Sequence, residues 1–235
     1  MVLKTRKSAG HANETEIGAI RKSWRGRTRF ALVYPNRYHL GMSNLGFQSV
    51  YRLLNHYDHV VCERVFLPEP TPGKPKPLRT FESGKRLTDA DVIAFSLSFE
   101  NDYPHILSIL DSIGLPLRAE QRGNQSPLLL AGGVASFINP EPIAAFFDCF
   151  LIGEAEAMLS RFLEVFELRN NKHANLRSIA RNVPGAYVPS FYGVDYQRDG
   201  TIASFRPLED VPPFPERPYL KDLTRTTTCS AILTP

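Results

Sequence analysis

Between residues 29 and 170, short apolar runs alternate with helix-like stretches, and this alternation limits the fold more than any other feature of the sequence. The five runs are Phe30–Tyr34, His59–Leu67, Asp91–Ser98, Pro127–Ala131 and Asp148–Ile152. Alternation with short connections requires parallel pairing through right-handed crossovers, with helices on both faces. The sequence therefore predicts an α/β fold with a doubly wound, Rossmann- or flavodoxin-like sheet of five parallel strands over residues 29–170.

The stretches between these runs carry helix signals. From Gly41 to Tyr57 apolar residues recur every three or four positions, which places them on one face of a helix. Asp102 and Asn139 can cap the helices after strands three and four, because their side chains accept hydrogen bonds from free N–H groups. From Gly153 onwards an amphipathic stretch predicts a helix to about Leu168.

Two Pro-rich segments predict extended chain. Pro68–Pro77 holds five prolines in ten residues, and proline donates no backbone hydrogen bond, so we expect an exposed loop. After the α/β domain, residues 171–235 are expected to form a hairpin of Tyr187–Tyr196 and Thr201–Pro207, with Arg198–Gly200 as its turn. A stiff linker is expected over Pro212–Pro218.

The formal net charge of +4 originates in the N-terminal arm, residues 1–28. Residues 1–29 hold eight Lys or Arg against two Glu, a balance of +6 that leaves −2 for the remainder. A basic arm can contact RNA, an acidic partner or anionic lipid. A solvated tail without such a partner is the more common interpretation.

The cysteines and the hydropathy indicate where the protein works. Cys62, Cys149 and Cys229 lie too far apart for a metal-binding motif, and the first two fall in apolar runs, which predicts buried thiols. No apolar stretch reaches the ~18–20 residues of a membrane span, and no signal-peptide pattern begins the chain. We expect no membrane partner and a location in the reducing cytoplasm.

The predicted topology also fixes where a ligand would bind. Doubly wound sheets bind ligands outside the carboxyl ends of the strands, where the strand order reverses. Glycine there lets a ligand approach the backbone, and a helix N-terminus accepts a phosphate or amide oxygen. The candidate binding residues in these loops are Pro35, Asn36, Gly41, Ser43, Gly46, Ser96, Ser98, Gly132, Gly133 and Glu154.

These candidates also have interpretations without a ligand. Ser96 and Ser98 can serve packing, and the two glycines after strand four can form a tight turn. Glu154 and Glu156 can stabilise a helix dipole instead of acting as an acid–base pair. The glycine spacing matches neither a dinucleotide nor a nucleoside-triphosphate motif, and we assign no catalytic and no metal-binding residue.

Several segments at the predicted strand ends indicate a particular protein family more specifically than composition does. They are Tyr34–Gly46, Cys62–Phe66, Phe95–Glu100, Ala131–Gly133 with Asn139–Pro142, and Ile152–Glu156. Together, and in this order, they resemble a family of radical S-adenosylmethionine (SAM) proteins that begin with a cobalamin-binding-type domain. The resemblance implies that this chain corresponds to the N-terminal portion of such a protein.

In that family the hairpin and Pro-rich linker lead into a partial barrel whose first loop carries CxxxCxxC. The resemblance implies that three thiolates there hold a 4Fe-4S cluster, whose open iron binds SAM for reductive cleavage to a radical. The printed sequence reaches Pro235 without this motif. We therefore expect the cluster, SAM and the barrel in cis only in a longer parent, and an inactive chain on its own.

The loop after strand one departs from the best-known cobalamin domains. Domains that replace the lower axial base of cobalamin carry DxHxxG there, whereas this loop reads Asn36-Arg-Tyr-His39-Leu-Gly41. It lacks the Asp, and its histidine is one residue too close to the glycine. We therefore expect any bound cobalamin to have no protein histidine on cobalt.

Three functions remain open from the sequence. The first is a domain that holds a corrinoid, or positions a substrate, over the radical centre of a larger enzyme. The second is a flavodoxin-like module for a flavin or nucleotide, which a yellow rather than a red chromophore would identify. The third is a cofactor-free interaction module that uses its basic arm on RNA or a protein.

We predict that the purified 235-residue chain binds no iron–sulfur cluster, because its cysteines are too far apart in sequence to supply three thiolates to one cluster. Anaerobic reconstitution followed by iron and sulfide analysis checks this. Stoichiometric iron and sulfide with cluster absorption would contradict it.

Overall fold

The computed structural model describes residues 16–69, 77–222, 224 and 228–234. Its centre is a parallel sheet with the strand order β2-β1-β3-β4-β5, which confirms the doubly wound prediction. The strands are β1 (Thr28–Arg37), β2 (Val60–Leu67), β3 (Val92–Ser96), β4 (Leu128–Gly132) and β5 (Cys149–Leu151). The order reverses between β1 and β3, where flavodoxin-like sheets bind their ligands.

The helices follow the strands. Those of the described residues are α1 (Tyr38–Ser43), α2 (Leu45–His56), α3 (Tyr103–Ser112), α4 (Val134–Ile138), α5 (Ala155–Val165) and α6 (Lys172–Asn182). Helices α2 and α5 contact each other on one face of the sheet, and right-handed crossovers place α3 on the other. The Asn44 side chain caps α2 by accepting a hydrogen bond from Phe47 N at 2.8 Å.

Two predicted helix caps act differently in the structure. Asp102 precedes α3 as expected, but it accepts a hydrogen bond from the side chain of Asn36 instead of capping the helix. Asn139 does accept one from Glu141 N at 3.1 Å. The segment that follows, Glu141–Phe146, is a 3₁₀ helix and not an α-helix.

The C-terminal part adds elements that the sequence did not indicate. Tyr187, predicted to begin the hairpin, lies instead in β6 (Ala186–Tyr187), which pairs antiparallel with β5. Within the described residues the sheet therefore has six strands, because α6 returns the chain to the free edge of β5. The hairpin prediction is confirmed by β7 (Tyr192–Tyr196) and β8 (Ile202–Pro207).

The described part of the N-terminal arm is packed against the domain rather than solvated. The Nζ of Lys22 donates to the carbonyl oxygens of Asn55, Tyr57 and Val60 at 2.6, 2.8 and 3.1 Å. Trp24 Nε1 donates to the Glu63 carboxylate at 2.8 Å. Part of the positive charge of the arm thus interacts with carbonyl oxygens of the same domain.

A buried ion cluster joins this arm to β2. The Arg64 side chain is 1% exposed and bonds Glu16 at 2.7 Å and Glu82 at 2.6 Å. Its guanidinium carbon also lies 5.1 Å from the ring of Tyr51 and 4.9 Å from that of Phe81. Burial alone would raise the pKa of Glu16, but hydrogen bonds from Arg64 and Tyr38 outweigh it and lower that pKa.

Other sequence expectations divide between confirmed and still open. Cys62 and Cys149 are buried free thiols, as predicted, and burial raises the pKa of both. Within the described ranges no helix has both the length and the apolar character to cross a bilayer. Most of the Pro68–Pro77 loop, residues 70–76, lies outside the described residues, and its exposure stays a prediction.

We predict that Arg64→Ala lowers the free energy of unfolding by about 3–5 kcal/mol, because it leaves the Glu16 and Glu82 carboxylates without their buried cation. Denaturant unfolding followed by circular dichroism measures this. Arg86→Ala is the matched control, since Arg86 pairs with Asp89 at the surface, and its stability should equal that of the wild type. Equal stability of the Arg64 variant would contradict the importance of the cluster.

Candidate functional site

A cavity of about 530 Å³ lies between the sheet and helices α2 and α5, and it reaches the carboxyl ends of β3, β4 and β5. Its sheet wall comes from one face of adjacent strands, since Leu32 pairs with Ala94 and Ser96 with Gly132 in the strand register. Protein interiors normally contain few voids larger than a water molecule. A space of this size within the sheet–helix layer therefore indicates a place for a ligand.

Small side chains on three walls keep this space open. The sheet contributes Ala94, Ser96 and Gly132, α2 contributes Gly46 and Ser49, and α5 contributes Ala155. Leu or Ile side chains at these positions would fill the space between the sheet and the two helices. Larger apolar side chains of the same three walls complete the lining, among them Val50, Leu130, Met158 and Leu159.

The cavity extends deep along α2. Gly46 lies at the exposed start of the helix, whereas Leu54 is buried, and both line the space. Eight residues separate them, which corresponds to about 12 Å of helix axis. The site is therefore a slot into the domain and not a shallow surface depression.

Ser49 is a polar residue of the cavity lining that sequence reasoning missed. It is 5% exposed, and its Oγ has no hydrogen-bond partner among the described residues. Asn44, also missed, lies at the mouth of the slot, the end at which it opens beside the carboxyl ends of the strands. Its Nδ2 donates a hydrogen bond to Ser98 Oγ at 3.0 Å. The available signal was the interruption of an apolar helix face by Gly46 and Ser49, three residues apart.

Six of the predicted binding residues line the cavity. They are Gly46, Ser96, Ser98, Gly132, Gly133 and Glu154. Glu154 also anchors the linker, since its carboxylate accepts a hydrogen bond from Leu220 N at 2.6 Å and its backbone N–H donates to Pro218 O at 3.1 Å. The structure therefore gives Glu154 a positioning contact at the mouth.

The other four candidates lie outside the cavity lining. Pro35 O lies 2.8 Å from His105 Nδ1. The side-chain amide of Asn36 donates a hydrogen bond to the Asp102 carboxylate at 2.7 Å. Ser43 Oγ donates to the carbonyl oxygen of Leu40 within α1.

Gly41 is explained by packing. A Cβ at this position would lie 2.5 Å from a ring carbon of Phe66, so the absence of a side chain lets α1 lie against β2.

Gly132 and Gly133 have different roles despite being adjacent. Gly133 has φ +103°, and a Cβ there would lie 2.5 Å from Leu97 O, so this glycine serves the close approach of β3 and α4. A Cβ on Gly132 would meet Leu151 O at 3.5 Å, which is ordinary contact. Only Gly132 therefore leaves room that a ligand could use.

The described lining of the cavity holds no cluster of metal-ligating side chains. Among the residues that the structure describes, no three His, Cys, Asp or Glu side chains lie close enough to hold an ion, and no described histidine lines the cavity. His39 is exposed in α1, outside the lining.

The topology is that of a doubly wound α/β domain, and the slot lies at the edge of the sheet where such folds bind ligands. Residues 46–189 match the family of N-terminal domains of radical SAM proteins, and the chain belongs to that family. Over 126 residues it is 29% identical to "Uncharacterized protein MJ0966" of Methanocaldococcus jannaschii. That alignment covers 54% of this chain and 24% of the relative, so the match spans about a quarter of the relative's length. No solved structure matches the chain.

We predict that Gly133→Ala lowers the free energy of unfolding by at least about 1–3 kcal/mol, because alanine must adopt the glycine-type backbone conformation and meets Leu97 O. Gly132→Ala, its neighbour, should change stability little. Parallel denaturant titrations compare the two. Equal destabilisation of both variants would contradict the distinction between the two glycines.

Proposed function

We propose that this chain is the N-terminal domain of a radical SAM enzyme and that its cavity holds part of a corrinoid of the cobalamin type. The domain would position the corrinoid, or a substrate, over a radical centre formed elsewhere in a longer parent. The observation that carries the proposal is the slot between the sheet and α2, which opens where doubly wound sheets bind their ligands.

The slot fits one part of a corrinoid better than the whole. Its volume of about 530 Å³ lies in the range of ~300–1,000 Å³ found for drug-sized ligands, and a complete corrinoid is larger. The aliphatic walls suit the flat base of the nucleotide tail. Ser96 and Ser98 at the strand tip suit the sugar and phosphate next to it.

The corrin ring would then lie at the mouth, against apolar residues that are exposed in the structure. Phe99 and Val134 line the cavity and are 63% and 56% exposed. Contact with a large apolar ring would remove this surface from water, which is favourable.

The proposal places no protein ligand on cobalt. No described histidine lines the cavity, and the loop after β1 lacks the DxHxxG pattern. A bound cobalamin would supply cobalt-centred alkyl or radical chemistry, and the residues described here would hold and orient it.

We assign the 4Fe-4S cluster, SAM and the radical SAM barrel to other parts of the parent. The described residues offer no ligand set for a cluster, and the matched relative is about four times as long as the shared region.

The buried free thiols fit a cytoplasmic protein, because that compartment keeps cysteines reduced.

The interaction-module alternative has less support. Lys22 and Arg27, both in the basic arm, are bonded to backbone carbonyl groups of the same molecule. Deleting residues 1–24 would also remove Glu16 from the buried Arg64 cluster. A comparison of the salt dependence of RNA or protein binding with and without residues 1–24 would therefore not separate the loss of a partner contact from the loss of folding.

We predict that the chain binds hydroxocobalamin and that Gly132→Val abolishes the binding with the fold intact, because the valine side chain projects into the slot. His39→Ala should leave the visible spectrum of the bound cofactor unchanged. Titration followed by absorption spectroscopy measures both, with circular dichroism as the folding control.

Three outcomes count against parts of this proposal. A spectral change in the His39 variant would place that histidine on cobalt. Unaltered binding by the Gly132 variant would locate the ligand elsewhere. Binding of a flavin with a yellow chromophore, in the absence of corrinoid binding, would support the flavodoxin-like alternative.

A further inference from the structure

The described lining of the slot is polar at one end and apolar at the other. Its polar residues other than Ser49 lie at the mouth, where α2 and α5 begin and β3 ends. They are Asn44, Ser96, Ser98, Glu154, Glu156 and the exposed Thr228. Beyond the first turns of α2 and α5 the lining is apolar apart from Ser49, and it includes Phe30, Leu32, Leu54, Ala94, Leu130 and Met158. A ligand that enters the slot therefore passes from a polar surface to an apolar one.

Ser49 does not make the inner part of the slot polar. Its Oγ has less than 1 Å² of accessible surface and no hydrogen-bond partner within the described part of the chain. A molecule in the slot cannot reach this hydroxyl. Ser49 therefore lines the cavity only through its other atoms.

The backbone of the sheet adds no free polar group either. Strand β1 pairs with β2 and β3, β3 pairs with β1 and β4, and β4 pairs with β3 and β5. Because each of these strands has a neighbour on both sides, the N–H and C=O groups beside Leu32, Ala94 and Leu130 are engaged in the ladder. The inner slot, as far as its residues are described, thus offers a ligand apolar contact alone.

We infer that the inner slot selects a planar group with few polar edge atoms, and takes an alkyl-substituted benzimidazole in preference to a purine. This inference rests on the proposed function, in which that group is the base of a corrinoid's nucleotide tail. A purine carries an exocyclic amine and several ring nitrogens that bond water outside the slot and would find no partner inside it. Burying such groups unpaired costs free energy, whereas burying the methyl groups of dimethylbenzimidazole is favourable.

Val50 is the position at which this selectivity can be tested by substitution. Gly46, Val50 and Leu54 follow one another at intervals of four residues and all line the cavity, so they share one face of α2. Val50 lies about 6 Å along the helix axis from Gly46, between the mouth and the buried Leu54. A threonine there has nearly the size of valine and would add a hydroxyl to the apolar lining.

Two pairs of ligands test the inference with the full chain. One pair is hydroxocobalamin, whose base is dimethylbenzimidazole, and the corrinoid that carries adenine in its place. The other is free dimethylbenzimidazole and free adenine, both uncharged at mildly alkaline pH. Calorimetric titration gives the Kd of each ligand. The wild type should bind free dimethylbenzimidazole more tightly than adenine by roughly ten- to hundredfold, the range that corresponds to leaving a buried polar group unpaired.

The corrinoid pair is compared between variants. The two bases bind cobalt within the corrinoid to different extents, but this equilibrium belongs to the free ligand and is the same for every variant. Val50→Thr should reduce the preference for dimethylbenzimidazole in both pairs by roughly three- to tenfold, because the hydroxyl can accept a hydrogen bond from the amine of adenine. Val50→Ala is the matched control, since it enlarges the slot without a polar group and should leave the preference unchanged. Circular dichroism checks that both variants fold.

The outcomes distinguish failure of this inference from failure of the proposed function. No binding of either corrinoid, together with the expected preference between the free bases, would overturn the proposed function and support the selectivity of the slot. No binding of any of these ligands would overturn both. Corrinoid binding without a preference between the free bases, or with a preference that Val50→Thr leaves unchanged, would overturn the inference alone.

Discussion

The positive charge of Arg64 is buried in the interior of the domain, and one side of the molecule is organised around neutralising it. A lone buried cation is too costly to maintain, so its carboxylate partners must be held in place. One comes from the N-terminal arm and the other from the segment before β3, at Glu16 and Glu82. The described part of the arm, residues 16–28, is therefore part of the folded domain.

The ion cluster also bears on the slot, because both involve α2. Tyr51, whose ring lies beside Arg64, exchanges two hydrogen bonds with the backbone of Ile20 in the arm. Gln48 and Asn55 fix the helix at two further points. Contacts with the arm, with β2 and with Ile232 thus fix the position of α2. Gly46 and Ser49 of the same helix line the cavity.

The sequence predicted those parts of this arrangement that depend on local pattern. Continuous apolar runs predicted the five parallel strands, and the topology rule pointed to the edge of the sheet at which the cavity opens. The two-residue strand β6 is too short to show a pattern. Helix α6 is largely polar, so its few apolar residues gave no strong stripe. Gly41 resembles a binding glycine until Phe66, twenty-five residues later, is seen to occupy the space beside it. Ser49 was missed because only the structure shows which face of α2 lines a void.

Hydrogen bonds connect the mouth of the slot to the linker and the residues just after it. The turn between β5 and α5 lines the cavity through Gly153 and Glu154, and the same turn bonds Pro218 and Leu220. Further along, Thr228 lines the cavity, and Leu233 pairs with Ile17 of the arm. The chain after the hairpin therefore passes the mouth and is fixed beside it. A ligand that shifts this turn would therefore also shift the segment around Pro218 and Leu220 that is hydrogen-bonded to it.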